Sequence, residues 1–327
     1  PTAVEFDGTD VTIAGLGGGG SASGRLSMLV GPGPNWAFRS SGLDLDNFDL
    51  EYIRAFFDTL PVAGRVTGRF EADGPREAME LGLDIVLRDS LVPDWPISVI
   101  DSRGIVSLGV PGDLVFNDFS ISHADFDLAT IQLILSGVDL NGRLSGSGIV
   151  NGPWLELEFA GDLTHYDDPE YVTEASGVVR IDALGDTLGV WSDLMFDSLA
   201  LDGIRPSYPS IRIGGTFQGR VVTEGYLDSL FVDADLAGPG GAVFLEGHVS
   251  PLSIRRAAYG MDVRVSRLNL SALHPRLPET VLFGRSQGTW VEDSLLGESA
   301  VMSAELREST VEGVSLDSIS WQLTVLD

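Results

Sequence analysis

A glycine frame, G-x3-G-x5-G, recurs along the chain, and an alternating apolar and polar stretch follows each copy. The copies begin at Gly64, Gly142, Gly215 and Gly284, and the last has Ser294 in place of its third glycine. Their first glycines are 78, 73 and 69 residues apart. Alternation with period two is typical of a strand with one apolar side. A fixed frame at a loose period predicts a repeated β unit with variable turns, although 40 glycines leave chance as the alternative.

The rest of the chain carries turn signals about every ten residues and little helical periodicity, which predicts an antiparallel all-β fold. We expect a hairpin between residues 4–6 and 11–14, a strand over 131–135, and a loop over 165–169. Apolar residues at helical spacing predict one short helix over 50–60. Two separate sandwiches would give a similar pattern. The repeated frame favours one continuous segment over 1–327, with repeats near 64–90, 142–160, 215–237 and 284–307.

Charge and composition exclude several classes of function. The chain has 48 acidic and 20 basic residues, a formal charge of −28, so we expect no nucleic-acid partner. It has no cysteine, which excludes disulfides and thiol chemistry. No run of about 18 apolar residues predicts a membrane-spanning helix. Because it begins at Pro1 without Met, we expect a segment of a longer protein.

No motif predicts catalysis, a metal site or a cofactor. Residues 15–20 match G-x-G-x-x-G, but no helix fits before the Gly-Pro repeat at 31–34, so a glycine-rich turn is expected. Asp44, Asp46 and Asp49 lack a calcium loop and are better explained as a solvated strand side and a helix cap. His123 and His165 have acidic neighbours in sequence, and we interpret them as solvated polar residues.

Two longer stretches share more than the glycine frame. Residues 41–74 and 266–288 each contain an x-L-x-L pattern, then Leu-Pro, then the frame, and residues 198–215 form a looser third copy. This pattern resembles the AsmA-like/TamB (translocation and assembly module) family of bacterial envelope proteins. The resemblance implies an elongated antiparallel sheet curled into a trough, the β-taco, with apolar side chains inside. It also implies a periplasmic location in an inner-membrane-anchored parent, phospholipid transfer toward the outer membrane in support of its biogenesis, and an outer-membrane barrel partner.

The alternating strands agree with such a groove. A curled sheet with its apolar side inward could hold phospholipid acyl chains, at about 0.8 kcal/mol for each buried CH2. The candidate lining residues are Leu81, Leu83, Ile85, Leu87, Ile131, Leu133, Leu135, Leu155, Leu157, Phe159, Leu230, Val232, Met261, Val263, Val265, Trp321 and Leu323. The same residues would form an ordinary core in a closed sandwich. A closed, adhesin-like surface β-solenoid is the rival hypothesis, and an enzyme on a β-helix is the third.

Overall fold

The computed structural model describes residues 4–14, 20–32, 35–51, 62–109, 114–135, 140–208, 213–250, 256–293 and 297–326. This part of the chain is all-β, with 18 antiparallel strands in one open sheet, as predicted. It contains three short helices, where at most two were expected. The strands are β1 Val4–Ala14, β2 Ser21–Val30, β3 Trp36–Asp49, β4 Gly64–Pro75, β5 Met79–Asp89, β6 Ile97–Leu108, β7 Leu114–Asp127, β8 Arg143–Pro153, β9 Glu158–Tyr166, β10 Val172–Asp182, β11 Gly189–Ala200, β12 Thr216–Tyr226, β13 Ser229–Gly238, β14 Gly241–Val249, β15 Arg256–Leu268, β16 Thr280–Asp293, β17 Gly297–Val311 and β18 Val314–Leu326. The helices are α1 Leu128–Ile134, α2 Leu201–Ile204 and α3 Leu270–Leu273.

The chain divides into two compact units. The N-terminal unit comprises residues 1–136 and 142–163, and the C-terminal unit comprises 137–141 and 164–327. Within the first, β1 to β8 pair in chain order, and within the second, β10 to β18 do so. This is the connectivity that short turns between successive antiparallel strands produce.

The four glycine frames lie on every fourth strand, namely β4, β8, β12 and β16. The connections that lead into the last three contain α1, α2 and α3 respectively. The whole of the first frame lies within one continuous strand, Gly64–Pro75. The helix predicted over 50–60 precedes β4, and most of it lies outside the described residues.

Glycine is required on these strands because the next strand approaches too closely for a side chain. At Gly68, with φ 135°, a Cβ would lie 2.0 Å from the carbonyl oxygen of Asp84. At Gly219, with φ 140°, the corresponding distance to the carbonyl oxygen of Asp235 is also 2.0 Å. Glycine both tolerates this backbone conformation and permits the close approach, so β4 and β12 continue through these positions without ending.

The strand pairing aligns the fourth frame differently from the sequence. A register irregularity follows the pairs Leu45–Gly68, Phe196–Gly219 and Val265–Gly284. Gly284 is therefore the counterpart of Gly68 and Gly219, whereas the sequence frame aligned it with Gly64. A Cβ at Gly284 would lie 2.3 Å from the carbonyl oxygen of Glu305, which is the same type of close approach.

Three local predictions were wrong. Residues 4–14 form one strand, with a register irregularity between Gly8 and Val11 in place of a hairpin turn. Residues 128–134 form a helix because Asp127 caps it, its side chain accepting a hydrogen bond from the Ala129 backbone N–H. Residues 153–156 form a turn after Pro153, so the strand predicted through Leu155 and Leu157 begins only at Glu158.

Candidate functional site

In the C-terminal unit, the middle of one side of the sheet is uncharged from β10 to β18. We call a row the set of residues that pair directly across consecutive strands. Three rows, two residues apart along each strand, share one side of the sheet because side chains alternate. None of their 27 positions carries a charged residue. These rows, the C-terminal apolar face, are Ala175, Phe196, Gly219, Leu236, Val243, Val265, Gly284, Leu306 and Ile319; Gly177, Leu194, Val221, Ala234, Leu245, Val263, Ser286, Ala304 and Trp321; and Val179, Ser192, Thr223, Val232, Gly247, Met261, Gly288, Met302 and Leu323.

The opposite side of the same strands is polar and acidic. The row between the second and third apolar rows runs through Asp193, Val222, Asp233, Glu246, Asp262, Gln287, Ser303 and Gln322. Asp233, Glu246 and Asp262 are direct neighbours, and like charges in such positions destabilise a sheet. Across these rows the carboxylates thus lie on one side only, even at some cost in stability.

The N-terminal unit has the same division between sides. Two uncharged rows define its apolar face: Val11, Gly24, Leu43, Phe70, Leu83, Ser102, Ile121 and Gly148, and Ile13, Ala22, Leu45, Gly68, Ile85, Ile100, Ala124 and Gly146. The row between them, on the opposite side, contains Asp44, Arg69, Asp84, Asp101 and His123.

Among the larger apolar side chains, burial on these faces is greatest toward the ends of the strands. In the N-terminal unit Ala72, Val106 and Phe119 belong to one buried cluster and are each at most 2% exposed. In the C-terminal unit Phe217, Leu268 and Leu282 pack with Leu273 of α3. Between such ends Leu83, Ile85, Val263 and Met302 are only half-buried. The middle of each face is therefore apolar but still accessible to water, unlike an ordinary core.

Most of the predicted lining residues lie on these faces. Leu81, Leu83, Ile85 and Leu87 alternate on one side of β5. Leu230 and Val232 lie on the same side of β13, and their rows reach Val249 and Met261. Val263 and Trp321 share one row, Met261 and Leu323 another, and Val265 lies in the third. Phe159 on β9 packs against the N-terminal cluster.

Four of the predicted lining residues lie elsewhere. Ile131 and Leu133 lie on α1, and Leu135 follows directly as its C-cap. Leu155 lies in the turn after β8, whereas Leu157, before β9, still packs against the N-terminal cluster. The sequence analysis missed Leu194, Val221 and Leu245, which share a row with Val263. Their alternation is visible in the sequence, but membership of this row follows only from the register of the strands.

Arginine–carboxylate pairs join each frame strand to the strand before it on the polar side. The Arg285 guanidinium binds Asp262, and Gln287 donates a further hydrogen bond of 2.8 Å. The hydrogen bonds from Arg285, and secondarily that from Gln287, lower the pKa of Asp262 from its usual value to about 2. Arg220 likewise lowers the pKa of Asp193, and Arg69 and Arg143 bind Asp44 and Asp125. Apart from the partly buried Arg143–Asp125 pair, these arginines are about half-exposed, so their pairs contribute little to stability.

The polar residues considered for metal or acid–base chemistry have structural roles. Asp44 and Asp46 are exposed on β3, and Asp49 accepts a hydrogen bond from the Glu51 backbone N–H, as a cap would. His165 was expected in a solvated loop, but it ends β9, is buried, and its Nε2 lies 2.8 Å from the Asn141 carbonyl oxygen. Among the described residues, no three His, Asp or Glu side chains are grouped to hold a metal ion.

In the described part of the chain, no helix has the length and apolar character needed to cross a bilayer. A shallow depression in the C-terminal unit lies mainly on the polar side, with Arg285, Gln287, Glu305 and Gln322 among its lining residues. Over the described residues, the sheet that carries the apolar faces is not closed. Comparison of the chain with family models, curated proteins and solved structures gives no match. Membership of the AsmA-like/TamB family therefore stays a prediction from the sequence pattern.

Proposed function

We propose that the chain binds phospholipid acyl chains along its apolar faces and is the lipid-carrying segment of a transfer protein without catalytic activity. The observation that supports this most is the combination of continuity and incomplete burial. The row of Val263 continues across nine strands without a charge, yet its larger side chains Leu194, Leu245 and Val263 are only half-buried. A protein that used these residues only as a core would bury them fully.

The dimensions of each face suit acyl chains. Strands lie about 4.8 Å apart, so the eight strands of the N-terminal face span about 34 Å. A single leaflet of a bilayer core is about 15 Å deep, so one acyl chain covers about half that span. Burial of each CH2 contributes about 0.8 kcal/mol, which makes a chain of ordinary length a strong ligand for such a surface.

The cellular part of the proposal rests on the resemblance to the AsmA-like/TamB family. We propose a periplasmic location within an inner-membrane-anchored parent, transfer of phospholipid toward the outer membrane, and a barrel partner there. The acidic sides facing away from the lipid keep so large a sheet soluble. A structural protein without lipid transport is the alternative, and the open, half-buried apolar faces argue against its closed interior.

Adjacent residues on β5 provide a matched test. Ile85 belongs to the N-terminal apolar face, and Val86 lies on the opposite side with similar exposure. We expect purified protein to carry phospholipid detectable by native mass spectrometry. Ile85→Glu should lose most of that lipid, whereas Val86→Glu should retain it, with both variants folded by circular dichroism. Lipid-free protein that also takes up none from vesicles would favour the structural alternative.

A further inference from the structure

The loop between β5 and β6 presents large apolar side chains to solvent. Leu91 is 48% exposed and Trp95 is 49% exposed. Ile97, where β6 begins, is 37% exposed. Asp94 is the only charged residue over positions 90–98, although 21% of the chain is charged. Exposed apolar patches of this kind commonly mark a contact with a protein or a membrane.

The backbone of this loop is tightly turned and strained. Val92 anchors it with 9% exposure, and the Trp95 backbone N–H donates a hydrogen bond of 3.3 Å to the Val92 carbonyl oxygen. Asp94 and Trp95, with φ of 66° and 51°, both occupy the left-handed region. This conformation is costly for a residue with a bulky side chain. Glycine would adopt it without strain, so the turn itself gives no reason for a tryptophan at this position.

A second apolar connection leaves the same end of the sheet. Because β6 pairs with β7, the connection from β7 to β8 begins next to the β5–β6 loop. This connection contains α1, on which Leu133 is 43% exposed. Residues 128–136 contain no charged residue. We call these two connections, residues 90–97 and 128–136, the α1 end of the N-terminal unit.

Two arginines lie at the base of the α1 end, on the polar side of the sheet. Arg65 and Arg88 pair directly across β4 and β5, and like charges in such positions destabilise a sheet. Asp49 lies opposite Arg65 on its other side, whereas the other neighbour of Arg88 is the uncharged Ile97. Arg88 is exposed. A bound anion would offset the repulsion, and a guanidinium group binds phosphate oxygens well.

We propose that the α1 end docks the protein onto the surface of a zwitterionic phospholipid bilayer. Leu91 and Trp95 lie in the interfacial region, where tryptophan is favoured because its ring is apolar and its N–H is polar. Arg88 binds a lipid phosphate. The charge of −28 on the chain disfavours an anionic surface. This docking does not depend on acyl-chain binding by the apolar faces.

The exposed apolar area favours a bilayer over a protein partner. Even a large aromatic side chain offers at most about 250 Å². The four exposed apolar side chains of the α1 end are 37–49% exposed, so together they offer less than about 500 Å². A stable protein interface needs about 800 Å² on each partner. Insertion of two side chains among lipid headgroups has no such requirement.

The test attaches an environment-sensitive fluorophore to a single introduced cysteine, since the chain has none. Leu91→Cys is compared with Leu184→Cys in the C-terminal unit, where Leu184 is 62% exposed. The two leucines have matching local geometry, because each backbone N–H donates to an aspartate two residues earlier, Asp89 or Asp182. With phosphatidylcholine vesicles, we expect a blue shift of the fluorophore emission for Leu91→Cys and none for Leu184→Cys.

Unlabelled variants measure the contribution of each side chain by sedimentation with the same vesicles. Trp95→Ala should weaken binding at least tenfold, and Leu91→Ala and Arg88→Gln should each weaken it several-fold. Leu184→Ala should bind as the native protein does. If Trp95→Ala fails to fold by circular dichroism, Trp95→Gly takes its place, because it removes the same side chain and relieves the positive φ.

Several outcomes would overturn the proposal. An equal blue shift at both labels would indicate non-specific adsorption, and no shift at Leu91 would exclude the loop. Binding that falls with Ile85→Glu but not with Trp95→Ala would assign the membrane contact to the apolar face. Tighter binding to phosphatidylserine than to phosphatidylcholine would show that basic charge drives docking. A dimer in light scattering that Trp95→Ala dissociates would identify a second copy of the chain as the occupant.

Discussion

The guanidinium of Arg285 on β16 donates hydrogen bonds to the carboxylate of Asp262 on β15. Its Nε lies 2.8 and 2.9 Å from the two carboxylate oxygens. Asp262 pairs directly with Gln287 in the ladder, so the arginine reaches it diagonally. Arg220 makes the same diagonal contact with Asp193 between β12 and β11. The polar side of the sheet thus repeats one electrostatic cross-link, four strands apart, opposite the uncharged rows.

This pair predicts a specific pH dependence. Because the pKa of Asp262 is lowered to about 2 in the folded protein, its contribution to stability is present above about pH 4, the usual carboxyl range, and is lost as pH falls toward 2. Asp262→Asn removes that contribution. We expect the difference in melting temperature between native protein and variant, measured by calorimetry, to shrink steadily from pH 5 to pH 2. A constant difference over that range would contradict the assignment.

The close approach at Gly68 predicts a large cost for the smallest side chain. Gly68→Ala places a Cβ 2.0 Å from the Asp84 carbonyl oxygen at a positive φ and should destabilise the protein by about 1–3 kcal/mol. Gly82→Ala is the matched control, because the nearest atom to its Cβ, on Glu71, lies 3.5 Å away. Urea unfolding of both variants measures the difference, and similar midpoints would refute the steric explanation of the frame.

Burial at the strand ends predicts that truncation of two neighbouring residues on β6 will cost different amounts of stability. Val106 is 0% exposed and Ile105 is 46% exposed. Val106→Ala should cost about 2 kcal/mol because it leaves a cavity in the cluster with Phe119. Ile105→Ala removes a larger side chain but should cost less than half as much. Denaturant unfolding checks this, and a larger loss at Ile105 would mean that the two sides of the strand are wrongly assigned.

The lipid proposal predicts that, in the C-terminal unit too, a charge on the apolar side impairs lipid transfer and a charge on the polar side does not. Met302 lies on the apolar face and is half-buried, whereas its neighbour Val301 lies on the polar side and is 45% exposed. Met302→Glu should reduce transfer of fluorescent phospholipid between vesicles several-fold, because a charge among acyl chains is costly. Val301→Glu should transfer at the native rate. Equal transfer by the two variants would exclude this face as the lipid path.

The sequence predicted strands best where period-two alternation was long, as in Met79–Asp89. It failed at residues 131–135, where a short apolar run fits a strand or a helix equally well, and the cap at Asp127 decided for the helix. At Leu155 the apolar alternation was real, but the turn after Pro153 placed that residue outside the strand. Period-two alternation therefore predicted a strand correctly when it was long, and failed in short apolar runs, where a cap or a turn decided the structure.

The candidate faces could be predicted only in part from the sequence. Alternation identified which side of β5, β13 and β15 is apolar, but a row also depends on register. Irregularities such as that between Val265 and Leu268 shift the register and cannot be located from composition. Leu194 and Val221 were therefore missed, although they pair directly with each other. For the same reason the sequence frame aligned Gly284 with Gly64, whereas the strand pairing makes it the counterpart of Gly68, four residues later.

The placement of the frames on every fourth strand makes the sheet extensible. Four strands advance it by about 19 Å, at about 4.8 Å per strand. A glycine then returns in the same row, Gly146 in the row of Gly68 and Gly284 in the row of Gly219. Duplication or loss of one such module would lengthen or shorten a sheet of this kind by a fixed number of strands. In this architecture the number of four-strand modules thus sets the length of the sheet, and modules can be added or lost without redesign of the surface that each one presents.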